Sequence, residues 1–244
     1  MGLLVSDFDG TFSTSIEDIR LNCYLIERYI KNGNYFLLSS GRPYDSLLHQ
    51  VRKYDIPYTH LGTSDGSFLF NRDGKMIQMN RISRRVIDII EDLKKINIYK
   101  SIQYAYPREN AGVYKGTDNL ASIAFVVRGE NITNEFLEAY NELKEREHNY
   151  QFDVYGYNGI YYYMIRPLGI SKSTTVKFLE TRLHINKKKI YTIGDNNNDF
   201  EMIRDYNGFM IGNNEDVEKV ALRKYNAVHE LVSDISKKKA LKRW

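Results

Sequence analysis

Cysteine occurs once and proline four times in the 244 residues of this chain. A single cysteine excludes an intramolecular disulfide and any cysteine-based zinc site. Cys23 falls in the helical stripe Ile16, Ile19, Cys23, Ile26, Ile30, so a packing role is expected of it rather than a reactive one. Long apolar runs are missing too. Ile123 to Val127 and Tyr161 to Ile165 fall far short of the roughly 18 residues that a membrane-spanning helix requires. The excess of positive charge is small, at +4, and much of it sits in Lys237, Lys238, Lys239, Lys242 and Arg243, which read as a solvated tail. No recognition motif or alternation of aromatic and basic residues supports a nucleic-acid partner. The chain reaches Asp7 almost at once, leaving no room for a charged leader and an apolar signal stretch. A soluble, cytoplasmic protein is expected, and Asn131-Ile132-Thr133 is then a glycosylation sequon only by accident of composition.

What is present is a chain with 42% hydrophobic residues, enough for a substantial core. Leu3-Leu4-Val5 is a short apolar run ending in acids. Thr14-Ser15-Ile16-Glu17 follows as a capping box before a helical stripe. Tyr35 to Leu38 repeats the pattern: it ends in Ser39-Ser40-Gly41-Arg42, and Pro43 suits the first turn of a helix carrying Leu47, Leu48 and Val51. Strands alternating with helices imply a parallel sheet whose ligands bind beyond the carboxyl ends of the strands. Ser67 to Phe70 and Lys75 to Met79, joined by Asn71-Arg72-Asp73-Gly74, fit a hairpin.

From about Ile82 to Pro167 the pattern changes. Ser83 can cap a helix with Val86, Ile89, Ile90 and Leu93. Ser122 to Val127, Phe152 to Tyr155 and Tyr161 to Ile165 read as strands, with a helix around Phe136, Leu137, Tyr140 and Leu143. This block reads as an α+β module inserted into the first domain, giving a core of residues 1–81 and 168–244 around an insert of 82–167. Alternation resumes with a helix from Ser171, a strand from Lys189 to Ile193 and a last core strand at Phe209-Met210-Ile211. Tyr155, Tyr157, Tyr161, Tyr162 and Tyr163 could line a pocket, but alternating aromatics in a strand usually pack.

Asp7-Phe8-Asp9-Gly10-Thr11 and Gly194-Asp195-Asn196-Asn197-Asn198-Asp199 are, taken singly, unremarkable turns. Together they place Asp7, Asp9, Asp195 and Asp199 at strand ends of one sheet, where like charges repel unless a cation intervenes. An all-oxygen ligand set without nearby histidine or cysteine favours Mg2+. An EF-hand is excluded because Phe200 and Tyr206 stand where its loop needs glycine and glutamate. Gly169-Ile170-Ser171-Lys172-Ser173 fails as an NTPase phosphate loop, since Ser171 replaces the required glycine.

These four segments, in this order, resemble the motifs of the haloacid dehalogenase superfamily of phosphatases, and the inserted block resembles the cap of its Cof-type sugar-phosphatase branch. The resemblance spans nearly the whole chain and implies a Rossmann-like α/β core with a cap that closes over it. It further implies that Asp7 is the nucleophile and that Asp9 protonates the leaving oxygen and then activates water. Ser40, the backbone N–H groups of Gly41 and Phe8, Lys172 and Asn198 would bind phosphate. Asp195 would hold Mg2+ with Asp7 and the main-chain carbonyl of Asp9, supported by Asp199. Ser40 stands where relatives often have threonine, which keeps the hydroxyl. Asp65 stands where many Cof-type relatives have asparagine, and its charge works against common sugar phosphates if it faces the pocket. Arg42 either contacts substrate or ties down its own loop. The substrate implied is a small phosphorylated metabolite such as a sugar phosphate. A phosphomutase of the same superfamily and a binding protein phosphorylated slowly on Asp7 are the alternatives.

Overall fold

A computed structural model describes residues 1–116 and 118–241. Lys242 and Arg243 of the basic tail lie outside the described residues. The run Lys237–Lys239 belongs to a helix, Val228–Leu241. No helix among the described residues is long and apolar enough to cross a membrane. The chain divides into two compact units, 1–79 with 171–244, and 80–170. The sequence reading put the junctions at 81/82 and 167/168.

Thirteen strands occur in chain order among the described residues. In the first unit these are β1 (Leu3–Asp7), β2 (Tyr35–Ser39), β3 (His60–Thr63), β4 (Phe68–Asn71) and β5 (Met76–Met79). In the second they are β6 (Ser101–Ala105), β7 (Asn110–Ala111), β8 (Ser122–Arg128), β9 (Tyr150–Tyr157) and β10 (Ile160–Pro167). The first unit then resumes with β11 (Ile190–Gly194), β12 (Asn207–Met210) and β13 (Arg223–Lys224).

The first unit is a single sheet in the order β13-β12-β11-β1-β2-β3-β4-β5. It is parallel from β13 to β3, and β4 and β5 add an antiparallel edge. β1 is central and all five of its residues are buried, which is why it reads as a continuous apolar run and not as an alternation. Its register sets Asp7 beside Ser39 of β2 and Ser6 beside Ile193 of β11. The carboxyl ends of these three strands are therefore level, and the polar residues that follow them share one edge of the sheet. On one face Leu3, Val5 and Leu37 pack with Val176 and Leu179 of the helix Lys172–Arg182 and with Met202, Ile203 and Met210.

Helix Ile16–Lys31 is capped by Ser15, whose hydroxyl accepts the N–H of Asp18 at 3.0 Å. The N-cap thus falls at Ser15, one residue later than the box Thr14-Ser15-Ile16-Glu17 suggests. Asp18 also accepts both the Thr14 and Ser15 hydroxyls, at 2.8 and 2.7 Å, and that pair of bonds decides the register.

The second unit is an antiparallel sheet in the order β7-β6-β8-β10-β9, with the helix Asn134–Arg146 and the short helices Val86–Ile89 and Glu91–Ile96. The expected single helix from Ser83 is thus two short ones, separated at Ile90. Phe136 and Tyr163 meet edge to face at 4.9 Å, and Tyr140 meets Tyr163 at 5.0 Å. The Tyr140 hydroxyl donates to the carbonyls of Asp153 and Met164, so the ring is buried without an orphaned polar atom. Tyr163 is thus a core residue.

Candidate active site

The loop after β1 turns tightly, with the N–H of Phe12 donating to the Asp7 carbonyl at 3.2 Å and that of Ser13 to the Phe8 carbonyl at 2.9 Å. Gly10 sits at φ +79°, and a Cβ there would stand 2.5 Å from Asp195 Oδ2. The glycine therefore serves two needs, the left-handed turn and the close approach of the Asp195 carboxylate that follows β11. Asp195 Oδ1 accepts the Thr11 hydroxyl at 2.6 Å. Thr11 belongs to the quoted Asp7–Thr11 segment, yet no role was expected of it.

Lys172 is the first residue of its helix, where Thr174 Oγ1 accepts the N–H of Ser171 at 3.1 Å. Its side chain is fully buried and its Nζ donates to Asp7 Oδ1 at 2.6 Å and to Asp199 Oδ1 at 2.7 Å. Asp199 Oδ2 accepts the backbone N–H groups of Asp195 and Asn196 at 3.1 and 3.2 Å. One oxygen each from Asp7, Asp195 and Asp199 lie within 4.8 Å of one another.

The electrostatics follow from this crowding. Burial pushes the Asp7 carboxyl well above the usual carboxylate range; Lys172 opposes the shift, while Asp199 and Asp195 add to it. Burial also raises Asp195, against the hydrogen bond from Thr11 and with help from Asp199. Burial alone would lower the Lys172 ammonium, but Asp199, Asp7 and Asp65 outweigh it and hold the group above the ordinary lysine value. The lysine is held charged by the carboxylates that crowd it. A hard divalent cation fits this set: the donors are all carboxylate oxygens, they converge, and their mutual repulsion is what a cation relieves.

Asp7, Asp9, Ser40, Gly41, Arg42, Asp195, Asn196 and Asn198 line one cavity of about 350 Å³. Lys172 and Asp199 lie buried beneath it. Asp9 does not join the acid cluster, because its two oxygens accept Arg42 Nε and Nη2, each at 2.7 Å. Arg42 also donates to Ser46 Oγ at 3.2 Å, and its guanidinium lies 5.6 Å from the centre of the Phe8 ring. Ser40 Oγ accepts the Arg42 N–H at 3.2 Å, which fixes the loop after β2. Asp65 is buried and Asn198 Nδ2 donates to its Oδ1 at 3.0 Å.

A larger cavity, about 700 Å³, lies elsewhere in the first unit among Cys23, Tyr24, Tyr44, Tyr58 and Arg72. It contains none of the clustered acids, and chemistry rather than size identifies the site. Burial pushes the Cys23 thiol up to about 11, so it is a poor nucleophile.

Residues 4–230 match the family of haloacid dehalogenase-like hydrolases. Among solved structures, the chain is similar to a haloacid dehalogenase-like hydrolase from Bacteroides thetaiotaomicron, with 21% identity over 96% of this chain and 99% of that one and a TM-score of 0.76. A haloacid dehalogenase-like hydrolase from B. subtilis gives 16% identity over 96% and 99% of the two chains and a TM-score of 0.78. A sugar phosphatase of subclass IIB gives 13% identity over 97% and 99%, with a TM-score of 0.75. Among curated protein sequences no relative matches. The fold is thus shared end to end at low identity, and the family match runs from the central strand into the last helix: this chain belongs to the haloacid dehalogenase-like hydrolases.

Proposed function

We propose that this hydrolase is a cytoplasmic, Mg2+-dependent phosphomonoesterase that acts on a small phosphorylated metabolite, a sugar phosphate foremost, through an aspartyl-phosphate on Asp7. The observation that carries this reading is the buried Lys172 ammonium joining Asp7 to Asp199 at the base of the acid-lined cavity. A cavity of about 350 Å³ suits a small ester. The solved sugar phosphatase that shares the fold supports the substrate class.

Asp7, Asp195 and Asp199 would hold the cation, with the main-chain carbonyl of Asp9, and the bound ion supplies charge neutralisation for the phosphoryl oxygens. The chain's own groups do the rest. Lys172, Ser40, Asn198 and the N–H groups of Phe8 and Gly41 bind and orient the phosphoryl group. An oxygen of Asp7 attacks phosphorus while the ester P–O bond breaks, and Asp9 gives its proton to the departing oxygen. Asp9 then takes a proton from water, whose oxygen attacks the aspartyl-phosphate; the bond between Asp7 and phosphorus breaks and inorganic phosphate leaves. Asp9 can reach the leaving group only after Arg42 releases it. The incoming phosphate is a natural competitor, because a guanidinium grips phosphate and carboxylate with the same fork.

Phosphate release from a panel of phosphorylated metabolites, with and without Mg2+ and repeated on Asp7→Asn, tests the proposal. Turnover of small phosphomonoesters that requires both Mg2+ and Asp7 is expected. Rapid hydrolysis of phosphopeptides alone would sink it.

A further inference from the structure

The loop after β3 carries three consecutive residues in the left-handed region: Ser64 at φ 48°, Asp65 at 51° and Gly66 at 91°. For the two residues with side chains this conformation costs about 1–3 kcal/mol each. Gly66 has no alternative, since a Cβ there would stand 1.8 Å from the Ser171 carbonyl oxygen. Strain of this kind persists where the surroundings over-determine it, and the surroundings of Asp65 do so.

Asp65 is 6% exposed and does not line the cavity. Its Oδ1 accepts Asn198 Nδ2 at 3.0 Å. Its backbone N–H donates to the Ser40 carbonyl at 3.2 Å. Both carboxylate oxygens lie 3.2 Å from the position a Cβ would take at Gly41, so the group is wedged behind the second-motif backbone. One residue thus braces the loops that carry Ser40, Gly41 and Asn198, and its neighbour Gly66 seats the residue before Lys172.

A carboxylate can only accept, so Asn198 must turn its NH2 group toward Asp65. An asparagine at position 65 offers both a donor and an acceptor and would not make that choice. We infer that Asp65 is a positioning residue that sets the orientation of the Asn198 amide from behind the cavity, and that it does not contact the substrate. The inference rests on the reading of Asn198 as a phosphate contact.

Four proteins test it: the parent, Asp65→Asn, Asn198→Ala and the double variant, assayed with Mg2+ on para-nitrophenyl phosphate and glucose 6-phosphate. Asp65→Asn should lower kcat about tenfold or more, the scale of a misplaced group, with little change in KM and by the same factor for both esters. In the Asn198→Ala background the same substitution should change kcat less than about twofold, because coupled residues are not additive. An equal loss in both backgrounds, or a loss confined to one ester, overturns the inference. A second readout needs neither turnover nor a position-65 variant. The Asn198 side-chain NH2 resonances of the parent, identified by their loss in Asn198→Ala, should show one proton displaced downfield and protected from exchange. Resonances at free-amide positions overturn the inference. Absence of turnover with both esters and the metabolite panel counts against the phosphatase reading alone, and the resonances still decide the role of Asp65.

Discussion

In the inserted unit the core cluster is built of aliphatic side chains and rings, whereas in the first unit a lysine and an aspartate are buried as completely as Leu3 or Leu37. Ile123, Val127 and Ile165 pack there with Phe125, Phe136, Tyr140 and Tyr163, and the buried Arg166 donates to Asp153 at 2.6 Å. In the first unit three carboxylates crowd one ammonium. Burying charge without full compensation is expensive, and a fold optimised only for stability would replace it with well-packed apolar groups. The difference teaches where function resides, because the first unit retains an unfavourable arrangement and the second does not.

The sharpest way to break this comparison is Asp7→Asn. Phosphate release should fall by at least about 10⁴-fold. The melting temperature should hold or rise, because burial and the neighbouring acids already favour a neutral group at this position. Loss of stability in parallel with activity would contradict the contrast.

Next comes a matched pair, one variant from each unit. Lys172→Met leaves Asp7 and Asp199 buried without their cation and should destabilise by about 3–5 kcal/mol. Phe136→Ala should cost a similar 3–5 kcal/mol, roughly, through its cavity. Added Mg2+ should restore part of the loss in the first and none in the second, since only the first creates a charge that a cation can answer. Thermal melts with and without Mg2+ read both.

A smaller effect concerns acid. Burial lowers the His60 imidazole from 6.5 to about 4, so between those values the unfolded chain binds the proton more readily. His60 thus lends full stability above pH 6.5 and loses it as pH falls toward 4, by about 3 kcal/mol in all. Urea unfolding at pH 7 and pH 4.5 should show this loss in the parent and a flatter slope in His60→Asn.

The smallest effect on stability is expected from Arg42→Lys. The pair with Asp9 is half-exposed, and such pairs contribute no more than about 1 kcal/mol. Turnover should nevertheless fall, with KM rising, because lysine cannot supply the fork. Unchanged kinetics would reduce Arg42 to a brace for its loop.

Much of the first unit was legible because a strand buried on both faces writes itself as an apolar run, and the polar residues ending β1, β2 and β11 mark the edge where they meet. Other parts carry no such mark. β6 alternates polar and apolar residues over only five positions, and β7 and β13 are two residues each. The helix Val228–Leu241 ends in lysines that resemble a tail. The seat of Asp65 was illegible because a left-handed aspartate looks like any other in sequence, and its bond to Asn198 spans 133 positions. The grip of Arg42 on Asp9 is likewise a long-range pairing. Thr11 was in view but had no partner until Asp195 was placed in space.

The order of synthesis adds a consequence of where the lysine stands. Asp7 emerges from the ribosome 165 residues before Lys172, with the whole insert between them, and Asp195 and Asp199 come later still. The nascent amino-terminal segment can pair β1 with β2 but has neither the Lys172 ammonium nor the strand β11 that flank Asp7 in the folded chain. Completion of the sheet and of the acid cluster both wait on residues from 172 onward, so a ribosome-bound fragment ending before residue 172 holds Asp7 without the ammonium and the two acids that surround it.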